Sequence, residues 1–231
     1  SPLAGGRLSG KYIGGKNPPE PGEITMANHG ILFLDELGEY QRHILETLRE
    51  PLETKSICLS RAGISTQFSA NFLLIAAMNP CYCGFYFDTN QRCRCLPSQI
   101  QKYWQKLSQP LLDRISICCI LQPPIHSRDF LSHSDMLEMV QQGTERYRKR
   151  NPKAIPNQEL DTDFIYECSS ISAKSDQLLN DFLTKNNHSL RAKRRLLQLS
   201  RTIADAHDQS NIEPRHISLA IQLSQHANLK P

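Results

Sequence analysis

The sequence predicts an α/β fold, a mainly parallel sheet followed by a helical subdomain, and three observations carry that expectation. Continuous apolar runs stand at Ile31–Leu34, Phe72–Ala77 and Ile115–Leu121, each suited to a strand buried on both faces. Other elements separate them, which favours parallel pairing over simple hairpins. After Pro123-Pro124 the pattern changes to apolar stripes at helical spacing. The chain therefore reads as an α/β part over residues 1–124 and a helical part over 125–231.

Residues 1–30 are dense in Gly and Pro and read as loop. Within them Gly10-Lys11-Tyr12-Ile13-Gly14-Gly15-Lys16-Asn17 comes one residue short of the phosphate-binding pattern G-x-x-x-x-G-K-[ST]. It is rejected as a P-loop. Asn17 cannot be the Ser/Thr ligand of Mg²⁺, no apolar strand leads in, and Pro18, Pro19 and Pro21 forbid the helix that should follow.

The first strand, Ile31-Leu32-Phe33-Leu34, runs into Asp35-Glu36. Two ionised acids are too costly to bury unpaired, so their expected place is the open carboxyl edge of the sheet, where ligands bind. In a nucleotide hydrolase the first such acid holds Mg²⁺ and the second orients or deprotonates the attacking water. The same pattern also ends strands that do no chemistry, so the motif alone leaves both readings open.

Tyr40 to Leu52 places Ile44, Leu45, Leu48 and Leu52 on one face and predicts an amphipathic helix. Ser56–Ser60 and Ile64–Phe68 predict a hairpin joined through Arg61-Ala62-Gly63. Arg61 at its tip is either a solvated turn residue or a contact. Past the second apolar run comes Met78-Asn79-Pro80, where Asn79 either opens a turn or reaches a γ-phosphate or the attacking water.

Between the second and third runs lie Cys81-Tyr82-Cys83-Gly84 and, after nine intervening residues counted from Cys83, Cys93-Arg94-Cys95. Four sulfurs across a short loop suit one tetrahedral Zn²⁺, although one-residue spacing within each pair is tighter than usual. A free-thiol or redox loop is the alternative. Cys58, Cys118, Cys119 and Cys168 fall on apolar segments and are expected as core thiols.

The helical part carries Met136, Leu137, Val140, Thr144 and Tyr147 as one stripe, and Leu178, Leu179, Phe182 and Leu183 as another. Leu196, Leu199 and Ile203 make a third, and Pro214 suits the first turn of a helix through Leu223. Two basic clusters, Arg146–Arg150 and Arg191–Arg195, are either solvated faces or nucleic-acid contacts. No histidine spacing suggests a ligand set.

Length and charge constrain less. A chain of 231 residues can bury a real core, and a formal charge of +4 does not by itself argue for nucleic acid. No apolar run reaches eighteen residues and the start lacks signal-peptide character, so neither membrane nor export is indicated and a cytoplasmic protein is expected. The chain opens without Met on a Gly-rich loop, which reads as part of something longer.

Several ordered motifs carry a resemblance. Pro21-Gly22-Glu23-Ile24, Gly30 through Leu37, Arg49-Glu50-Pro51-Leu52-Glu53, Ala76-Ala77-Met78-Asn79-Pro80-Cys81, the second Cys pair, Pro110 through Ile115 and Arg201-Thr202-Ile203-Ala204-Asp205 resemble the Mg-chelatase-like AAA+ family, in its ComM-like branch. A more distant similarity, from Ser60 through Pro80, is to the hairpin and sensor of minichromosome-maintenance helicases.

The resemblance implies a partial AAA+ P-loop NTPase core with a C-terminal helical lid, and it implies roles. Asp35 is the Mg²⁺ ligand, Glu36 the water-activating acid, Asn79 the first sensor, Arg114 the arginine finger and Arg191 the second sensor, touching ATP. Cys81, Cys83, Cys93 and Cys95 remain the structural Zn²⁺ candidates, and Arg61 becomes a DNA contact within a ring pore. The implied whole is a homo-hexameric, ATP-driven DNA translocase acting on single-stranded or branched DNA, driving branch migration in natural transformation.

Departures from the family pattern accompany it. The phosphate-cradling P-loop is absent from the sequence, so the chain alone is expected to lack ATPase activity. Gly38 and Tyr40 stand where Pro and Phe are usual, Asn28-His29 reverses the usual order, and Gly38 is expected to loosen the turn after Glu36. Two other readings are a non-enzymatic module binding DNA or partner subunits, and a magnesium-chelatase-type motor subunit, against which the Cys-rich loop counts.

Overall fold

The computed structural model describes Gly14 and residues 20–61, 64–121, 131–151, 155–186 and 189–224. The near P-loop lies outside these residues apart from Gly14, as does the hairpin tip Ala62-Gly63; of Arg61 and Ile64 the backbone is described. The described residues divide into two compact units, one ending at Ile115 and the other running from Ser116 to Ser224. It is a mixed α/β protein with a small parallel sheet and a helical C-terminal region.

In the first unit, a short helix α1 (Glu23–Met26) precedes β1 (Ile31–Leu34), and a 3₁₀ turn over Leu37–Glu39 follows it. Then come α2 (Arg42–Glu46), α3 (Arg49–Thr54), the strands β2 (Ser56–Arg61), β3 (Ile64–Ser69) and β4 (Leu73–Ala76), and helices α4 (Pro97–Trp104) and α5 (Gln109–Leu112). β1 and β4 pair parallel, with Ile31 opposite Leu73 and Leu34 opposite Ala76. β2 and β3 form the expected antiparallel hairpin, with Arg61 opposite Ile64 at its end.

The register of β1 on β4 is pinned ahead of the strands. The Asn28 side chain accepts the Asn71 N–H at 2.9 Å, and the His29 N–H donates to the Asn71 carbonyl at 2.6 Å. His29 achieves this in the left-handed region, at φ 59°. The reversed Asn28-His29 order thus has a structural job in this chain.

Four expectations need correction. First, β1 is buried on one face only: Leu32 and Leu34 pack with Ile24, Leu45, Leu48 and Leu111, whereas Ile31 and Phe33 are 61% and 59% exposed. Leu73 and Ile75 of β4 are exposed beside them. Parallel sheets bury both faces under crossover elements, and among the described residues no second layer covers this one. Second, residues 115–121 form no strand; Ile117, Ile120 and Leu121 are exposed, and the Cys118 N–H donates to the Leu223 carbonyl.

Third, the single helix expected over Tyr40–Leu52 is two. Pro51 has no N–H to continue the ladder, so it sits in the first turn of α3 and the chain breaks at Thr47-Leu48. Fourth, none of Cys58, Cys118, Cys119 and Cys168 is a core thiol. Cys58 and Cys119 are exposed and the other two half-buried. On β2 the side chains alternate, so burying Ile57 turns Cys58 outward.

The second unit consists of α6 (His133–Arg150), a 3₁₀ turn over Asn157–Glu159, α7 (Thr162–Cys168), α8 (Ala173–Lys185), α9 (Leu190–Ala206) and α10 (Pro214–Ser224). Ser132, Asp161, Ser172 and Ser189 cap the helices that follow them by accepting a first-turn N–H. The core gathers Ile165, Leu179, Leu183, Leu196, Leu197, Ile203, Ile212 and Ile217. The stripe on α6 is not part of it: Met136, Leu137 and Val140 are exposed.

Through this core runs a buried ionic network. Asp205, 2% exposed, takes both Arg150 Nη groups at 2.6 and 2.8 Å, Arg201 Nη2 at 3.0 Å and Asn157 Nδ2 at 2.9 Å. Arg201 is fully buried and donates further to Ser169 Oγ and to the Ser210 and Gln209 carbonyls. The Arg201–Asp205 motif is therefore the polar keystone of the helical unit. No described helix is long and apolar enough to cross a membrane.

Candidate functional site

Parallel pairing of β1 with β4 brings two chemical segments to one sheet edge. Leu34 and Ala76 are register partners at the carboxyl ends, the Ala77 N–H donates to the Leu34 carbonyl at 2.9 Å, and the Leu37 N–H returns to the Ala77 carbonyl at 2.9 Å. Asp35 and Glu36 are thus enclosed by backbone bonds to the strand leading into Asn79. All three side chains are exposed.

The backbone of the acidic turn is strained. Glu36 adopts φ 51°, ψ 45°, a left-handed conformation that a non-glycine residue rarely takes. Its N–H donates to Asp35 Oδ1 at 2.8 Å, which fixes the first carboxylate. Hard carboxylate oxygens suit Mg²⁺. The donor set fits that ion, but among the described residues no Gly-rich loop opening a helix is present to cradle a triphosphate.

Behind this turn stands a cluster that sequence reading missed. Tyr103 of α4, 1% exposed, lies against Gly38, where an added Cβ would fall 2.1 Å from the phenol ring. The Lys106 ammonium donates to the Gly38 carbonyl and sits 5.7 and 5.5 Å from the ring centroids of Tyr82 and Tyr103. Burial, with Glu39 nearby, pushes the Tyr103 phenol up to about 12. Gly38 does not loosen the turn; its missing side chain is the space the tyrosine fills.

The four loop cysteines converge. Cys81 Sγ lies 3.4 Å from Cys83 Sγ and 3.6 Å from Cys93 Sγ, the Cys83–Cys93 separation is 3.5 Å, and all four sulfurs, including Cys95, lie within 4.8 Å of one another. A tetrahedral ion with Zn–S of about 2.3 Å would set its sulfurs about 3.8 Å apart, whereas a disulfide requires about 2.05 Å. The tight spacing works because Gly84, at φ 83°, lets the first pair turn back, with its N–H on the Cys81 carbonyl.

The thiols of the cluster are shifted in opposite directions. The Phe85 and Arg94 N–H groups hold the Cys83 thiol down at about 6. The Cys95 N–H favours a thiolate at Cys93, but burial and the neighbouring sulfurs outweigh it and push that thiol up to about 12.

The remaining candidates lie elsewhere. Arg114 is 16% exposed, donates to the Pro110 carbonyl at 2.6 Å and pairs with Glu53 of the same chain. Arg61 ends β2 at the hairpin tip, and Arg191 is exposed in the first turn of α9, in the second unit. The basic clusters are partly spent on structure: Arg150 serves Asp205, Arg146 pairs with Asp208, and Arg194 donates to the Leu160 and Glu159 carbonyls.

Residues 9–128 match the family model "Magnesium chelatase, subunit ChlI", and residues 132–224 match that of its C-terminal region. The chain is 37% identical over 215 residues to Competence protein ComM of Haemophilus influenzae. It is 39% identical over 216 residues to the uncharacterized protein YifB of Escherichia coli. Each alignment covers 90% of this chain and 42% of the relative, so the chain spans less than half the length of these curated relatives. A DNA replication licensing factor Mcm2 of Drosophila melanogaster is 25% identical over 228 residues, covering 88% of this chain and 25% of its own.

Proposed function

Because the chain belongs to the magnesium chelatase subunit ChlI family, we propose that it is the hydrolytic edge and lid of a cytoplasmic AAA+ nucleotide motor acting on DNA. The observation that carries the reading is the in-register pairing of β1 with β4, which delivers Asp35, Glu36 and Asn79 to one sheet edge. When bound, MgATP supplies the phosphoryl group to be transferred. Asp35 offers the ion a carboxylate, Glu36 accepts the proton of the attacking water, and Asn79 orients that water or the γ-phosphate.

Arg114 is the finger toward a neighbouring subunit's nucleotide in a homo-hexamer, and Arg191 acts from the lid. Arg61 at the hairpin tip meets DNA phosphates. Four cysteine thiolates, fully supplied by protein, take a structural Zn²⁺. The competence protein among the relatives favours a DNA translocase of natural transformation that drives branch migration, and the licensing-factor similarity agrees with a DNA substrate.

The sequence contains no complete G-x-x-x-x-G-K-[ST] motif, and Ile31, Phe33, Leu73 and Ile75 offer an apolar face to a further layer. The 231-residue chain alone is accordingly expected not to turn over ATP. Joined to the P-loop-bearing segment of a relative, it should hydrolyse ATP, and Glu36→Gln should lower that rate by about 10²-fold or more while ATP still binds. Turnover by the isolated chain, abolished by Glu36→Gln, would contradict the first expectation; unchanged turnover in the joined variant would contradict the role of Glu36.

A further inference from the structure

The cysteine cluster and the acidic turn are joined by a continuous set of contacts. Cys81 is fully buried directly after Asn79-Pro80, and the Pro80 carbonyl accepts the Trp104 Nε1–H at 2.9 Å. Tyr82, between two of the sulfur-bearing residues, meets Tyr103 edge to face with centroids 4.7 Å apart. Tyr103 fills the space over Gly38, and Lys106 binds the Gly38 carbonyl while lying over both rings. Gly38 is two residues beyond Glu36, whose left-handed backbone needs its surroundings to hold it.

We infer that a divalent zinc ion held by Cys81, Cys83, Cys93 and Cys95 positions the Glu36 turn and the Asn79 segment through a Tyr82–Tyr103–Lys106 brace. The inference rests on the reading that the four thiolates take such an ion. It adds that the ion is a setting device for the hydrolytic edge as well as a clip on its own loop. Without the ion Tyr82 is held against Tyr103 only by the ring contact, Lys106 and the Gly84–Cys81 turn, and the turn carrying Glu36 has a weaker backing. Tyr103 and Lys106 are positioning residues, acting through Gly38.

The physical route is short. Sulfur ligation fixes the backbone on both sides of Tyr82, so the ring loses freedom before it packs, and the packing costs less entropy. The ammonium of Lys106 gains from two aromatic faces and one carbonyl at once, and loses the Tyr82 face if that ring swings away.

The test uses the reduced 231-residue chain, metal-free and then loaded with Zn²⁺, with metal content and peptide-resolved hydrogen exchange as readouts. The expected result is one equivalent bound, and about ten-fold slower exchange over residues 35–40 with little change in the hairpin over 56–69. Lys106→Met should bind the same equivalent while its exchange response at 35–40 falls below about two-fold, and Lys106→Arg should restore it. One equivalent bound with no response at 35–40, an equal response in the hairpin, or an unaltered response in Lys106→Met would overturn the brace while leaving the metal site standing. No uptake of zinc, in a chain whose helical unit keeps its protection, would overturn the metal site and the brace with it.

Discussion

Asp205→Ala is expected to destabilise the helical unit by about 3–5 kcal/mol, because it leaves Arg201 and Arg150 in the interior without their carboxylate. The magnitude follows from burial. Arg201 is fully buried, its remaining partners are neutral oxygens, and burial already pulls its pKa below the usual arginine value. Thr202→Ala, one residue from Arg201 but on an exposed position, should cost far less. Thermal and urea unfolding of the two variants checks this: equal midpoints would mean that the network contributes nothing to stability.

Arg114→Ala, in the protein joined to a P-loop-bearing segment, is expected to lower kcat by about 10³-fold or more with ATP binding retained, the scale at which arginine fingers act. Arg114 pairs with Glu53 in this chain, and a finger must leave that partner to reach a neighbour's nucleotide. Glu53→Gln should therefore not imitate Arg114→Ala. Mixing Arg114→Ala subunits with Glu36→Gln subunits should recover some turnover, since each supplies the group the other lacks in a shared interface. Arg114→Ala with normal kcat, or no recovery on mixing, would remove the finger role.

Much of the fold was legible because apolar runs and helical stripes report local burial. Ile31–Leu34 and the run before Asn79 are the two strands that meet, and the hairpin and the helix opened by Pro214 stand where their patterns put them. The second face of β1 was not legible, since burial there needs a layer that a strand's own sequence does not specify. Residues 115–121 failed for the same reason: an apolar run is a strand only when an edge receives it. The long helix broke at Thr47-Leu48, ahead of Pro51, whose signal was present in the sequence and outweighed by periodicity.

At the site, the acids, Asn79 and the four cysteines were readable as residue types, yet their geometry was not. The left-handed turn at Glu36 has no glycine to announce it. Cys-x-Cys spacing looked too tight until Gly84 supplied the turn that folds it back. Contacts such as Arg114 with Glu53, 61 residues apart, and Tyr103 against Gly38 join segments whose sequences carry no mutual mark.

The central claim is that Glu36 and Asn79, from two strands, act on one nucleotide. A double-mutant cycle on ATP turnover in the joined protein tests it most directly. Glu36→Gln and Asn79→Ala should each slow kcat severely, and the double variant should be no slower than the worse single one, as for residues that work as a unit. Effects that multiply, or an Asn79→Ala variant as fast as the unmodified protein, would contradict the claim.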